Sequence, residues 1–212
     1  IASPLRTALL QAAIWAVIAS LIAAGGRMRG GSGSFPDALI LVADTSDERQ
    51  MREAFETISY RFGRLDFVFA NAGINGVWAP IDELTYEEWN KTISINLGGT
   101  FLCCREALPF LVESKGNIVN AASTSAFFGH PYMAAYSASK SAAWSMTNAL
   151  RHELASQHTQ VLGLHMAYVD TDLTRGFDVQ KSSAEDIVQR ALDGLEAGAD
   201  EVLADTLTQR LQ

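Results

Sequence analysis

From residue 38 onward, short apolar runs alternate with longer stretches in which apolar and polar positions recur at helical spacing. The runs are Ala38 to Ala43 (ALILVA), Leu65 to Ala70 (LDFVFA), Asn117 to Ala121 (NIVNA), Val161 to Ala167 (VLGLHMA) and Glu201 to Ala204. They lack the polar alternation of a strand with one wet face, so they predict strands of a parallel sheet covered on both sides. The stretches between them open on capping signals. Thr45 with Glu48 starts a helix to about Phe62, Thr85 with Glu88 starts another, and Ser182 with Glu185 starts the last. A further helix holds Tyr136 and runs to about Ala155, where Ala, Trp, Met, Leu and Glu favour it. This rhythm predicts an α/β fold: a Rossmann-like doubly wound parallel sheet in a single domain, with ligands bound outside the carboxyl ends of the strands.

The first 37 residues break the rhythm. Ala8 to Ala24 is almost wholly apolar and is followed by the glycine-rich GGRMRGGSGS. The run has about the length of a signal-peptide core or a short membrane span. Against that, seven of its residues are alanine, Gln11 and Ser20 interrupt it, and Arg6 alone precedes it as a basic flank. The expectation is a buried soluble helix and a linker, not a membrane anchor. The chain divides into an atypical N-terminal segment, 1–37, and the α/β domain, 38–212.

Composition narrows the functional classes. With 212 residues, 48% of them apolar, and five prolines, the chain can bury one domain core and is no disordered polymer. A net charge of −8 argues against a nucleic-acid partner. Cys103 and Cys104 are neighbours, which offers neither a disulfide framework nor zinc spacing, and His130, His152, His158 and His165 show no ligand spacing either. No metal site is expected, and a reducing, cytoplasmic setting fits best.

The chemistry belongs at the strand ends. Reading them in order gives Asp44 and Thr45, then Asn71, Ala72 and Gly73, then Ser123, then Tyr168, Val169, Asp170 and Thr171. These are small or polar residues suited to a ligand across a sheet edge, and equally the common residues of turns. Tyr136 and Lys140, in YSASK, stand four apart and therefore share one helix face. A phenol titrates near pH 10, so a nearby ammonium is the group that would make it useful for proton transfer. Asn96 falls on the apolar face marked by Trp89 and Ile93, where an unpartnered amide would cost about 1–3 kcal/mol. Gly98 and Gly99 follow it and suggest a bend or a close backbone approach.

Taken together, NAG at 71–73, Asn96 in INLGGTF, Ser123 in GNIVNAAS thirteen residues before Tyr136, and YSASK at 136–140 resemble the short-chain dehydrogenase/reductase family. The resemblance implies an enzyme that interconverts an alcohol and a carbonyl of a small molecule by hydride transfer with NAD or NADP, the two not being distinguishable. It implies Tyr136 as acid/base, Lys140 lowering the phenol's pKa and bonding the nicotinamide ribose, Ser123 on the substrate oxygen, and Asn96 holding a water that links Lys140 to solvent. It further implies Asp44 with Thr45 near the adenine, Asn71, Ala72 and Gly73 beside the adenosine ribose, and Val169 and Thr171 on the carboxamide. Trp78, Pro80 and the stretch 174–182 occupy the places of the family's substrate pocket and lid, though loop filler would look the same. A homodimer or homotetramer is the family's usual assembly.

Two departures stand out. Met166-Ala167 replaces the family's Pro-Gly, and no TGxxxGxG precedes Asp44, so the N-terminal strands are atypical or incomplete. That motivates the rival reading, a non-catalytic protein of the same fold that binds a ligand or partner with impaired dinucleotide binding.

Overall fold

The computed structural model describes residues 39–211, so the apolar run Ala8 to Ala24, the glycine-rich linker and position 38 lie outside the described residues. Four parallel strands, β1 (Phe67–Ala70), β2 (Asn117–Ala121), β3 (Gln160–His165) and β4 (Glu201–Leu203), pair in that order. The helices are α1 (Glu48–Phe62), α2 (Tyr86–Ile93), α3 (Gly99–Ser114), α4 (Ala134–Leu154), α5 (Ala184–Glu196) and α6 (Thr206–Leu211).

The register explains the unbroken apolarity of the strands. Val68, Ile118 and Val161 stand side by side and face Met51 and Phe55 of α1, Leu102 and Leu111 of α3 and Leu154 of α4. On the opposite face, Phe69, Val119 and Leu162 align with each other and meet Ile187, Ala191 and Leu195 of α5. Full burial of such a side chain is worth about 1.5–3 kcal/mol, so both faces are driven closed by the same term. The sheet is covered on both sides, as the Rossmann-like expectation requires.

Local signals are sometimes displaced. Thr85 and Glu88 form the predicted capping box at the start of α2. At α1 the cap is Asp47, whose carboxylate accepts from the Gln50 amide, while Thr45 is buried against Gly99. At α5 Ser183 caps instead of Ser182, because the Ser182 backbone is already bonded to Tyr168 and Asp170. No strand forms over 39–43. Ile40 and Val42 are exposed there, since among the described residues no strand lies alongside to take the ladder hydrogen bonds. Between α2 and α3 the helix does not break but widens into a π turn, Ser94–Gly98, and of the two expectations for Gly98 and Gly99 the close approach is seen, since a Cβ at Gly99 would stand 2.9 Å from Thr45 Oγ1. The continuous run 86–114 is long and apolar enough to cross a membrane, yet half of its most apolar window is buried inside the domain, where core packing uses that apolarity.

At the sheet's far edge Glu201 gathers three groups. It accepts from Trp144 Nε1 at 3.2 Å and Arg151 Nη2 at 2.9 Å, both on α4, and bonds the fully buried His165 ring of β3. Gly163 makes room: a Cβ there would stand 2.5 Å from Glu201 Oε2.

A second glycine yields a test. Gly194 lies inside α5, where alanine would ordinarily gain about 1 kcal/mol of helix propensity. Its Cβ would collide with Val202 of β4 and sit 3.2 Å from Leu162. Overpacking of this kind costs about 1–3 kcal/mol, so Gly194→Ala should lower the urea midpoint, against the propensity trend.

Candidate active site

Because all four strands are parallel, their carboxyl ends share one edge, and a cleft of about 630 Å³ opens there. That size is ordinary for a small-molecule site. Its lining includes Asp44 and Thr45, Asn71 to Gly73 after β1, Ser123 after β2, Tyr136 and Lys140 from α4, and Val169 and Thr171 after β3. Every candidate catalytic and cofactor-binding residue except Asn96 is on this wall, and Asn96 is fully buried; of the candidate pocket and lid residues Trp78, Pro80 and 174–182, Thr174 alone lines it.

The Asn96 amide spends its capacity inside the protein. Its Oδ1 accepts from Ile74 N at 2.8 Å, and its Nδ2 donates to Ile74 O and to Ser139 Oγ, each at 3.0 Å. Ser139 in turn donates to the Tyr136 carbonyl at 2.7 Å. This chain ties the loop after β1, through the π turn, to the helix that carries Tyr136 and Lys140. The geometry thus gives the Asn96 side chain a clamping role between the loop and the helix. Gly73 lets the loop pass closely, since a Cβ there would lie 3.3 Å from Asn96 Oδ1 and 3.7 Å from Lys140 Nζ. Ser139 was not singled out from the sequence. Its signal was present, a small hydroxyl between Tyr136 and Lys140, three positions after the tyrosine on the same helix side.

Lys140 is buried, and its Nζ donates to the Ala121 carbonyl at 2.9 Å. Among the described residues no carboxylate pairs with it, and burial brings its ammonium down to about 8. The ammonium lies 5.8 Å from the centre of the Tyr136 ring. Burial pushes the half-buried Tyr136 up, a hydrogen bond with Ser123 opposes that, and Tyr168 adds to the rise. At neutral pH Tyr136 therefore holds its proton.

Around this centre the loops are pinned. Asp44 Oδ1 accepts from Ser46 N at 2.9 Å and Ser46 Oγ at 2.7 Å, and the Asp44 amide donates to Gln50 Oε1 at 3.0 Å. After β3, Thr174, the first residue of the stretch 174–182, hydrogen-bonds the Val169 carbonyl and stands on the cleft wall. The two candidate pocket and lid segments touch through the Trp78 and Phe177 rings, 5.5 Å apart, and just outside them Asn75 Nδ2 donates to Leu173 O at 3.0 Å. Cys103 and Cys104 pack in the core, where burial pushes the Cys104 thiol up to about 12.

A family model described as short chain dehydrogenase matches residues 31–182. A 3beta-hydroxysteroid dehydrogenase of Mediterraneibacter gnavus is 34% identical over 170 residues, 80% of this chain and 56% of that protein. The chain spans about half the length of the curated relatives it matches. A short chain dehydrogenase from Burkholderia cenocepacia, solved in complex with NADP, superposes with a TM-score of 0.76 at 30% identity, covering 83% of this chain and 75% of that one. A 3-ketoacyl-(acyl-carrier-protein) reductase from Brucella melitensis, complexed with NADH, gives 0.72 at 27% identity over 77% and 75%.

The buried ammonium makes a stability prediction. In the unfolded chain Lys140 titrates near 10.5 and in the fold near 8, so the unfolded state binds the extra proton between those values and stability rises with pH across that window. Below pH 8 the charge costs the fold about 3 kcal/mol. Lys140→Met should therefore be more stable than the parent at pH 7, with the gap closing as pH rises from 8 to 10.5. Urea denaturation of both proteins across that range reads it, and a gap independent of pH would contradict the assignment.

Proposed function

The chain belongs to the short-chain dehydrogenase/reductase family, and from that premise we propose that it is an NAD- or NADP-dependent oxidoreductase interconverting a small-molecule alcohol and its carbonyl, with Tyr136 as acid/base. One observation carries the reading: Tyr136, Ser123 and a buried Lys140 converge on a single cleft at the carboxyl edge of a parallel sheet.

The residues fit the implied cofactor. Gly73 leaves open a cradle beside Asn96 and Lys140 that a Cβ would crowd. Lys140 uses one N–H on the Ala121 carbonyl, which leaves two to offer ribose hydroxyls. Asp44, Thr45, Asn71 and Ala72 line the part of the cleft assigned to adenosine, and Val169 and Thr171 the part assigned to the carboxamide. When bound, the dinucleotide supplies or accepts the hydride.

The protein's share is the proton and the orientation. In carbonyl reduction the Tyr136 hydroxyl gives its proton to the substrate oxygen, which the Ser123 hydroxyl holds, and the phenol is restored from solvent. In alcohol oxidation the same proton moves the other way. Burial raises the Tyr136 pKa further above neutrality, so the cofactor-free site holds the phenol in its protonated form. Asn96 positions, through Ser139, the helix on which both Tyr136 and Lys140 ride. The buried thiols of Cys103 and Cys104 support a reducing, cytoplasmic setting, and a homodimer or homotetramer is the assembly we assign by family.

Titration of the full chain with NADH and NADPH, followed by cofactor fluorescence, should show saturable binding of at least one. No response to either would overturn the reading. Against a panel of ketones, Tyr136→Phe should lower kcat by about 10²–10⁴-fold with cofactor Kd within about twofold of the parent; unchanged turnover would remove Tyr136 from its role.

A further inference from the structure

Where the ladder between β3 and β4 ends, a side chain continues it. Ala204 N donates to His165 O at 2.8 Å, and the next residue, the buried Asp205, reaches back with its carboxylate. Asp205 Oδ1 accepts from Thr208 N at 2.8 Å, capping α6, while Oδ2 accepts from Thr208 Oγ1 at 2.8 Å and from Ala167 N at 2.7 Å. The other polar group of the same peptide, the Met166 carbonyl, accepts from Thr124 N at 3.1 Å, next to Ser123. Both polar groups of the Met166–Ala167 peptide are therefore fixed, one to the Ser123 turn and one to the C-terminal cap. Met166, Ala167, Val169 and Thr171 all line the cleft.

We propose that Asp205 is a positioning residue that sets the cofactor-facing segment 167–171 by holding the Ala167 amide, an inference that rests on the oxidoreductase reading above. Neither Met166 nor Ala167 fixes its own backbone as proline would, and a hydrogen bond to a carboxylate is roughly twice as strong as one to a neutral acceptor. The carboxylate's two oxygens let one residue cap α6 and hold the loop together. Asn in its place is a strong helix cap, so its one acceptor oxygen goes to the Thr208 amide and its NH2 faces the Ala167 amide, donor against donor.

The test compares Asp205→Asn with Thr208→Ala in the full chain, by backbone amide NMR and by NADH and NADPH titration. In D205N the Ala167, Val169 and Thr171 amide resonances should move, Ala167 should exchange about tenfold faster, and cofactor Kd should rise about tenfold. T208A should lose thermal stability while keeping those resonances and the Kd. If D205N does not fold, Asp205→Ser, a competent helix cap too short to reach Ala167, is read the same way. Resonances and affinity unchanged in D205N or D205S would overturn the proposal. If the parent binds neither dinucleotide, the oxidoreductase reading fails on that result alone, and the amide data still decide whether Asp205 sets the segment.

Discussion

The site depends on one buried amide. Asn96 sees no water, so each of its hydrogen-bonding groups has to be met inside the protein or charged against stability. The solution links three parts of the chain: the loop leaving β1, the π turn that interrupts the long helix, and the face of α4 between Tyr136 and Lys140. The turn's extra residue is what brings the amide around to meet Ile74 and Ser139 together. Cutting any one of these bonds would leave a polar group bare in the interior, so the parts stay in register through mutual necessity.

Lys140 shows the opposite economy. Its charge is buried with a carbonyl and the Tyr136 ring beside it and, among the described residues, no carboxylate, an arrangement that weakens the cofactor-free fold. A protein selected for stability alone would put an apolar residue there. The strain concentrates where ribose hydroxyls would join the ammonium under the proposed function, so ligand binding and fold stability are coupled at this residue.

The fold was legible because its strands are covered on both faces, which writes burial directly into continuous apolar runs such as LDFVFA and NIVNA. It failed where a signal depended on neighbours. The run ALILVA reads like the others but has no described strand to pair with, and Thr45 and Ser182 read as caps although tertiary contacts reserve them for Gly99 and for the loop after β3. The cleft residues were legible through their order and spacing, and their common lining agrees with that reading without testing their roles. Asp205 was illegible for a different reason: its partner Ala167 lies 38 residues away, and nothing local to either marks the bond.

The Glu201 hub has a mechanical consequence. Tyr136 and Arg151 sit fifteen residues apart on one helix, about 22 Å at 1.5 Å per residue. Arg151 moors the far end of α4 to the sheet edge, and Trp144 at mid-helix bonds the same carboxylate. A tilt of about one degree over that length moves the hydroxyl end by about 0.4 Å, close to the tolerance of a working site. The mooring at Glu201, remote from the cleft, thus holds one end of α4 while Ser139 and Lys140 hold the end that carries Tyr136.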